Sequence, residues 1–241
     1  MGSILLRGEV HEEVKGLRLH GDIPHSRYLR KLSAGRAEPF MLKLFQEHLP
    51  EGRDVVDVGG YLGLYALIAA QSPQVKRVWA FEPDPRNFGW LARNIRENES
   101  RVEAQPFVVG DRQGTARIQL SRGGQSQTHV SEEGGVAVRS VALDQFLPED
   151  VDPALIKIDV EGQEVAALAG MKGILERCRP ILFVEHHARS LRRQGSSPEK
   201  LLELLAQLDY RVAWIDEEQR CTKPPATLPD HDHVNLICEP R

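Results

Sequence analysis

A short glycine-rich segment, Asp57-Val58-Gly59-Gly60-Tyr61-Leu62-Gly63, separates an apolar run from a helical pattern. Glycines at such a place allow a tight turn and let a ligand approach the backbone. The N–H groups at the start of the following helix can bind a carboxylate. The segment therefore predicts a ligand-binding turn between a strand and a helix, with a turn of purely structural role as the alternative.

Glu82 closes the next apolar run, in Phe81-Glu82-Pro83. An acidic residue at the end of the second strand of an α/β unit can accept hydrogen bonds from both hydroxyls of an adenosine ribose. The glycine spacing indicates which nucleotide is bound. NAD prefers G-x-G-x-x-G, whose first glycine is here Val58, whereas acidic-x-Gly-x-x-x-Gly fits Asp57, Gly59 and Gly63. Since Asp57 can pair with the ammonium of a methionine group, the pattern favours S-adenosylmethionine over NAD.

A third acidic segment, Lys157-Ile158-Asp159-Val160-Glu161-Gly162-Gln163-Glu164, again leads from a strand into a helix. Asp159 and Glu161 share a face if the strand continues through them, so both carboxylates are expected at the carboxyl edge of the sheet. Glu164 has a simpler explanation, because acidic residues stabilise the first turn of a helix.

If a bound S-adenosylmethionine gives its methyl group to a hydroxyl, a base is needed to take the proton, and Glu185-His186-His187 at the end of another apolar run offers candidates. Alternation places Glu185 and His187 on one face and His186 on the other. We predict His186 as the base, because a neutral imidazole accepts a proton near pH 7. Glu185 is the next candidate, and Asp159 is expected to orient the cofactor and the acceptor. The alternative is a pair of histidines that only cap the strand.

A metal site is the competing hypothesis for this edge of the sheet. His231, Asp232 and His233 could join Asp159 or Glu185 as ligands. These residues are far apart in sequence and show no dense ligand spacing, so the sequence predicts no metal.

The elements that must position these residues alternate between strand and helix. Near-continuous apolar runs indicate strands buried on both faces, as in a parallel sheet, at residues 54–58, 78–81, 155–160 and 181–184. Helical patterns follow at residues 62–70, 85–98 and 163–177. This alternation is typical of βαβ units.

Other segments depart from that alternation. Residues 102–109, 115–120 and 136–143 are all strand-like, which predicts a further sheet strand followed by a β-hairpin insertion, and residues 123–135 have the composition of a polar loop. Helices are expected at residues 38–48 and 198–208, with residues 210–215 and 233–238 as an antiparallel edge. We expect an N-terminal extension or cap over residues 1–36 and one Rossmann-like domain over residues 37–241.

Together these motifs resemble the FkbM family of methyltransferases. The similarity covers about four-fifths of the chain and also includes Glu38-Pro39, Asn87, Gly110 with Gly114, Leu143-Asp144 and the strand from Pro180 to His186. Tyr61 departs from the small polar residue, usually asparagine, of similar proteins, which bears on contacts near the methionine end of the cofactor.

The resemblance implies a class I methyltransferase fold, in which a mostly parallel seven-stranded sheet carries an antiparallel edge strand and a β-hairpin insertion. It implies O-methylation of a hydroxyl on a sugar, a polyketide or another specialised metabolite. It also implies cofactor contacts from these residues: Glu38, Asp57, Gly59, Gly60, Tyr61, Gly63, Glu82, Pro83, Asn87 and Asp159. An NAD-dependent oxidoreductase and a non-catalytic S-adenosylmethionine-binding module remain as alternatives.

The composition of the chain indicates which classes of partner are expected. The formal net charge of −4 argues against nucleic acid, which needs a clustered basic face. Three scattered cysteines without C-x-x-C spacing indicate neither a disulfide framework nor a cysteine zinc site. No apolar stretch approaches the roughly 18 residues of a membrane span. We therefore expect a cytoplasmic enzyme with a small-molecule acceptor; the sequence leaves the oligomeric state open.

Overall fold

Strands and helices alternate through most of the chain in the computed structural model, which describes residues 8–120, 129–131, 134–227 and 233–241. The strands are β1 (Glu9–Val14), β2 (Leu17–Asp22), β3 (Asp54–Val58), β4 (Val78–Phe81), β5 (Val102–Gln105), β6 (Val108–Val109), β7 (Gly114–Gln119), β8 (His129–Val130), β9 (Val136–Val141), β10 (Pro153–Ile158), β11 (Ile181–His187), β12 (Tyr210–Asp216), β13 (Cys221–Lys223) and β14 (His233–Pro240). The helices are α1 (Ser26–Ser33), α2 (Pro39–Glu47), α3 (Leu64–Gln71), α4 (Pro85–Glu97), α5 (Leu143–Phe146), α6 (Glu164–Ala169), α7 (Lys172–Cys178), α8 (Ala188–Arg193) and α9 (Pro198–Gln207).

The central sheet has the order β13-β12-β14-β11-β10-β3-β4-β5. Strands β11, β10, β3, β4 and β5 are parallel, and β14 runs antiparallel between β11 and β12. This α/β architecture confirms the predicted fold class. Within the described residues the sheet has eight strands rather than seven, because the three-residue β13 pairs with the end of β12.

Burial on both faces explains the apolar runs. Every residue of β3 and β4 is buried. One hydrophobic cluster lies under α6, α7 and α9, and the other lies under α2, α3 and the N-terminal segment. Charged side chains on these strands are therefore confined to the places where a site or an ion pair holds them.

A second, small sheet forms the expected insertion, with the order β6-β9-β7-β8 among the described residues. β7 pairs antiparallel with β9 and with β8. Most of the predicted polar loop at residues 123–135 lies outside the described residues.

The predicted helix over residues 163–177 is instead two helices, α6 and α7, which meet at Gly170. A Cβ atom on Gly170 would lie 1.9 Å from the carbonyl oxygen of Gly110, so the close approach of this neighbouring backbone requires glycine. The carboxylate of Asp144 accepts hydrogen bonds from the N–H groups of Gly173 and Ile174, both at 2.8 Å. These contacts start a new helix in a new direction.

The segment before α2 forms a β-hairpin, β1 and β2, followed by α1. Asn94 on α4 fastens the hairpin to the main sheet layer: its side chain accepts from the N–H of His20 at 2.7 Å and donates to the His20 carbonyl at 3.1 Å. The N-terminal segment thereby covers the carboxyl ends of β3 and β4.

Candidate active site

A cavity of about 880 Å³ opens at the carboxyl ends of β3, β4, β10 and β11. This is the edge where open α/β sheets bind ligands, and the volume lies within the usual range for small-molecule sites. α1 and α8 form its outer walls. The cavity lining includes the predicted cofactor residues Glu38, Asp57, Gly59, Gly60, Tyr61, Glu82, Pro83, Asn87 and Asp159.

The turn after β3 is fixed by its neighbours on both sides. The N–H groups of Gly59 and Gly60 donate to the carbonyl of Phe81 at 2.8 and 2.9 Å. Gly59 has φ +87°, and a Cβ atom there would lie 1.8 Å from the carbonyl oxygen of Asp159. Gly63 follows as the N-cap of α3. The first and third acidic motifs of the sequence therefore meet backbone to backbone.

Asp57 is the last residue but one of β3 and is only 1% exposed. Its Oδ2 atom accepts from the N–H of Ala66 at 3.2 Å, whereas the buried Oδ1 atom accepts no hydrogen bond from the described residues. Burial raises the pKa of Asp57 to about 6, although Lys157 opposes the rise. A buried acceptor without a donor matches a ligand that brings a cationic N–H group.

Glu82 holds its place through two backbone donors. Its Oε2 and Oε1 atoms accept from the N–H groups of Tyr61 and Asp84, at 2.8 and 2.9 Å. Burial raises the pKa of Glu82 to about 7. The side chain of Asn87 also hydrogen-bonds to this carboxylate, which with about four acceptor positions can still accept from a ribose hydroxyl.

Tyr61 and Asn87 connect this part of the cavity to the N-terminal segment. Tyr61 adopts φ +50°, and its ring packs against the rings of His25 and Tyr28, with centroids 5.3 and 5.4 Å away. The side-chain oxygen of Asn87 lies 3.2 Å from Nε2 of His25. The bulky residue at position 61 thus packs onto the segment that covers the cavity.

Glu38 precedes α2 in the left-handed conformation, with φ +45°. Its Oε2 atom accepts from the hydroxyl of Tyr65 at 2.9 Å. Burial, together with the charge of Glu185, raises the pKa of Glu38 to about 7.

Lys157 is a component of the site to which the sequence pattern assigned no role. Its ammonium is buried, lies 3.0 Å from Oδ2 of Asp159 and stands 4.8 Å from the centroid of the Tyr65 ring. Burial opposes its charge, but the surrounding carboxylates raise the pKa of Lys157 above its usual value. Its position two residues before Asp159 on β10, facing the same side, is the signal that could have indicated this role.

Asp159 lies just beyond the end of β10, and its second oxygen, Oδ1, is buried without a hydrogen bond from the described residues. Burial and the nearby charge of Glu185 raise the pKa of Asp159, against the effect of Lys157. Glu161 follows at φ +50° and also lines the cavity, so the two carboxylates lie together beyond the strand rather than along it.

Glu185, His187 and His233 form a compact cluster at one end of the cavity. Oε1 of Glu185 lies 3.3 Å from Nε2 of His187 and 2.5 Å from Nε2 of His233. The two imidazole rings are stacked, with centroids 5.0 Å apart and an interplanar angle of 7°. Burial opposes the ionisation of Glu185, but the two histidines hold the pKa of this carboxyl group well below its usual range. Burial likewise opposes the charge of His187, but Glu185 raises its pKa to about 9.

The structure places His186 away from the cavity that Glu185 and His187 line. β11 continues through His187 rather than ending at Val184, so alternation sends the side chain of His186 to the face opposite Glu185 and His187. His186 is 2% exposed and is not one of the described residues that line the cavity. Two other sequence candidates, His231 and Asp232, lie outside the described residues.

The topology of the sheet and the acidic, glycine-rich edge of the cavity define a Rossmann-like class I methyltransferase. The chain belongs to the FkbM family: the model of the methyltransferase FkbM domain matches residues 57–212. It is 26% identical over 219 residues to the hexuronic acid methyltransferase AglP of Haloferax volcanii, across 89% of this chain and 87% of that protein.

Solved structures show the same fold. The methyltransferase FkbM from Methylobacillus flagellatus KT is 21% identical, with a TM-score of 0.52 over 77% of this chain. The match spans only 43% of that protein's length. M. jannaschii TYW2, solved in complex with AdoMet, is 14% identical with a TM-score of 0.52, over 100% of this chain and 90% of that one. In the described part of the chain, no helix is both long and apolar enough to cross a membrane.

Proposed function

We propose that this protein transfers a methyl group from S-adenosylmethionine to a hydroxyl oxygen of an anionic sugar. The observation that carries the cofactor assignment is the buried Oδ1 atom of Asp57, which accepts no hydrogen bond from the described residues and belongs to a residue that lines the cavity beside the glycine turn. Family membership and a solved neighbour with AdoMet support the same cofactor.

The residues present fit this cofactor at both ends. Asp57 would bind the ammonium of its methionine group, beside the turn formed by Gly59 and Gly60. Glu82 would accept the ribose hydroxyls, while Pro83 and Asn87 border the adjoining space. The remaining predicted contacts, Glu38, Tyr61 and Gly63, are part of this proposal.

When bound, the cofactor supplies a methyl group on a sulfonium, which is displaced in line by the acceptor oxygen. The new bond is O–CH₃, the bond that breaks is S–CH₃, and the hydroxyl proton must leave. We assign that proton to Asp159, because its Oδ1 atom is buried and free of hydrogen bonds from the described residues. Lys157, at 3.0 Å from Oδ2, holds the other carboxylate oxygen in place.

The mouth of the cavity indicates the charge of the acceptor. Four exposed basic side chains line it, two from α1 and two from α8: Arg27, Lys31, Arg189 and Arg193. The acidic lining residues lie deeper, at the strand ends. A basic rim favours an anionic acceptor through electrostatic attraction. The relative AglP acts on hexuronic acid, and we therefore propose a uronic acid or a similar acidic sugar.

The proposal is tested by incubating the protein with S-adenosylmethionine and a panel of free and glycoside-linked hexuronic acids, with the matching neutral hexoses as controls. We expect the acidic sugars to gain the mass of one methyl group. S-adenosylmethionine at 100 times its dissociation constant should stabilise the fold by about 2.7 kcal/mol, and NAD should not. Stabilisation by NAD alone would reject the cofactor, and cofactor binding without turnover of any acceptor would favour a non-catalytic binding module.

A further inference from the structure

We propose that Glu185, His187 and His233 bind a divalent transition-metal cation inside the cavity. Each residue offers one ligand atom, and these atoms all lie within 4.8 Å of one another. The sequence predicts no metal, because these ligands come from distant segments; the sheet brings them together. This inference rests on the proposed function for the role of the ion, but not for its binding.

Strand pairing fixes the geometry of the three ligands. β11 and β14 are antiparallel neighbours, and His187 lies directly opposite His233 in their register. Glu185 shares the face of His187 because it lies two residues earlier on the same strand. Hydrogen-bonded strands at the centre of a sheet hold side chains more firmly than loops do, so the donors are arranged in advance of any ion.

The donor set selects the kind of ion. Two imidazoles and one carboxylate are the protein ligands of many catalytic zinc sites, which leave a fourth position for water or substrate. Imidazole favours zinc and other transition ions, whereas magnesium prefers oxygen ligands. Ligands about 2.1 Å from one tetrahedral ion lie about 3.4 Å apart. The separation between Glu185 and His187 is already 3.3 Å, and that between Glu185 and His233 would widen from 2.5 Å.

The position of the cluster indicates what a bound ion would do in the reaction. Oδ1 of Asp159, the proposed proton acceptor, lies 4.0 Å from Nε2 of His187. A cation in the cluster would polarise the acceptor hydroxyl and ease loss of its proton to Asp159. One oxygen of the sugar acid would occupy the open position, so the ion would also orient the acceptor.

The test is calorimetric titration of the full chain, freed of metal by a chelator, with zinc ions alone. We expect one zinc ion per chain. Loss of a residue that merely orients a ligand weakens metal binding by about 10- to 100-fold. Each of Glu185→Gln, His187→Gln and His233→Gln should therefore weaken zinc binding by about 100-fold or more. The matched control is His11→Gln, on exposed β1, which removes an imidazole elsewhere and should leave binding unchanged.

A spectroscopic measurement on the unaltered protein covers the case in which the variants do not fold. Cobalt(II) added to the metal-free chain should give the visible absorption of an ion bound by nitrogen and oxygen, and zinc should displace it. Absence of binding to the unaltered chain, or zinc affinity unchanged in all three folded variants, would overturn the metal site.

The same samples separate this inference from the proposed function. Affinity for S-adenosylmethionine should change by no more than a few-fold in the three variants, because among the described residues no ion pair joins the three side chains to Asp57 or Glu82. Full methyl transfer by a chelator-treated chain that binds no zinc would reject the ion and keep the function. Zinc binding by a chain that neither binds the cofactor nor transfers methyl groups would do the reverse.

Discussion

Asp159 and His186 lie close to each other at the ends of adjacent strands, yet only Asp159 borders the cavity. The carboxylate of Asp159 is held on one oxygen by Lys157, and its other oxygen is buried and accepts no hydrogen bond from the described residues. A side chain held in this way can receive a proton without first giving up another partner. This contrast makes the two residues a natural pair for mutation.

We expect Asp159→Asn to lower kcat by about 10² to 10⁴, the usual contribution of a positioned base, because the amide cannot take the proton. The KM for the acceptor should change far less. His186→Gln is the matched control, since it alters the neighbouring strand on the opposite face, and it should retain turnover. Steady-state kinetics on the methylated acceptor measure both. Loss of turnover in folded His186→Gln with Asp159→Asn unaffected would restore the base predicted from the sequence.

The sequence located strand β11, but not its last residues or the side chain that faces the site. The apolar run ends at Val184, whereas the strand continues through His187, and the cavity occupies only one face of its end. The cavity lies on the face of the strand end that α1 and α8 cover, and their packing cannot be read from the strand itself. The role of Lys157 is not predictable from sequence for a related reason. The function of a lysine in a buried strand can be inferred only when the carboxylates around it are known.

At the scale of elements, the two turns after β3 and β10 are built as one unit, because the backbone of Gly59 packs directly on that of Asp159. The strands that carry these turns were predictable from their apolar runs, and the acidic and glycine residues marked the turns. The contact between them was not predictable, since it requires the pairing of strands that are distant in sequence. The split between α6 and α7 was unpredictable for the same reason. The carboxylate that binds the first N–H groups of α7 belongs to Asp144, which lies on another element.

The unit formed by the two turns predicts opposite effects for two glycine substitutions. Gly59→Ala should destabilise the fold by at least about 1 to 3 kcal/mol, the cost of a left-handed residue, and the contact with Asp159 adds to this. Affinity for S-adenosylmethionine should fall with it. The control, Gly89→Ala in the exposed middle of α4, meets nothing within 4 Å and should stabilise by about 0.5 to 1 kcal/mol. Urea unfolding and calorimetry measure both effects; equal stability of the two variants would argue against the close contact.

At the scale of the whole molecule, the fold removes from water several carboxyl groups, most of them in the cavity and one, Glu164, at the start of α6. Burial raises the pKa of Asp57 to about 6 and that of Glu38, Glu82 and Glu164 to about 7. A sequence with a net charge of −4 does not reveal this, because the effect arises from where the acids are placed. The free protein therefore keeps protons that its unfolded chain releases at lower pH.

This difference in bound protons determines how stability varies with pH. Between about pH 4.5 and 7 the folded chain binds more protons than the unfolded chain, so the free energy of unfolding should fall as pH rises. The raised pKa of His187, about 9, acts in the same direction, since its contribution is complete below pH 6.5 and is lost as pH rises through 9. We expect the Tm of the free protein to be higher at pH 6 than at pH 8. Glu82→Gln should make this dependence shallower, while Glu103→Gln, an exposed acid on β5, should not. A Tm that rises steadily from pH 6 to pH 8 would show that these carboxyls are ionised in the fold at little cost, and that the site is more open to water than its geometry indicates.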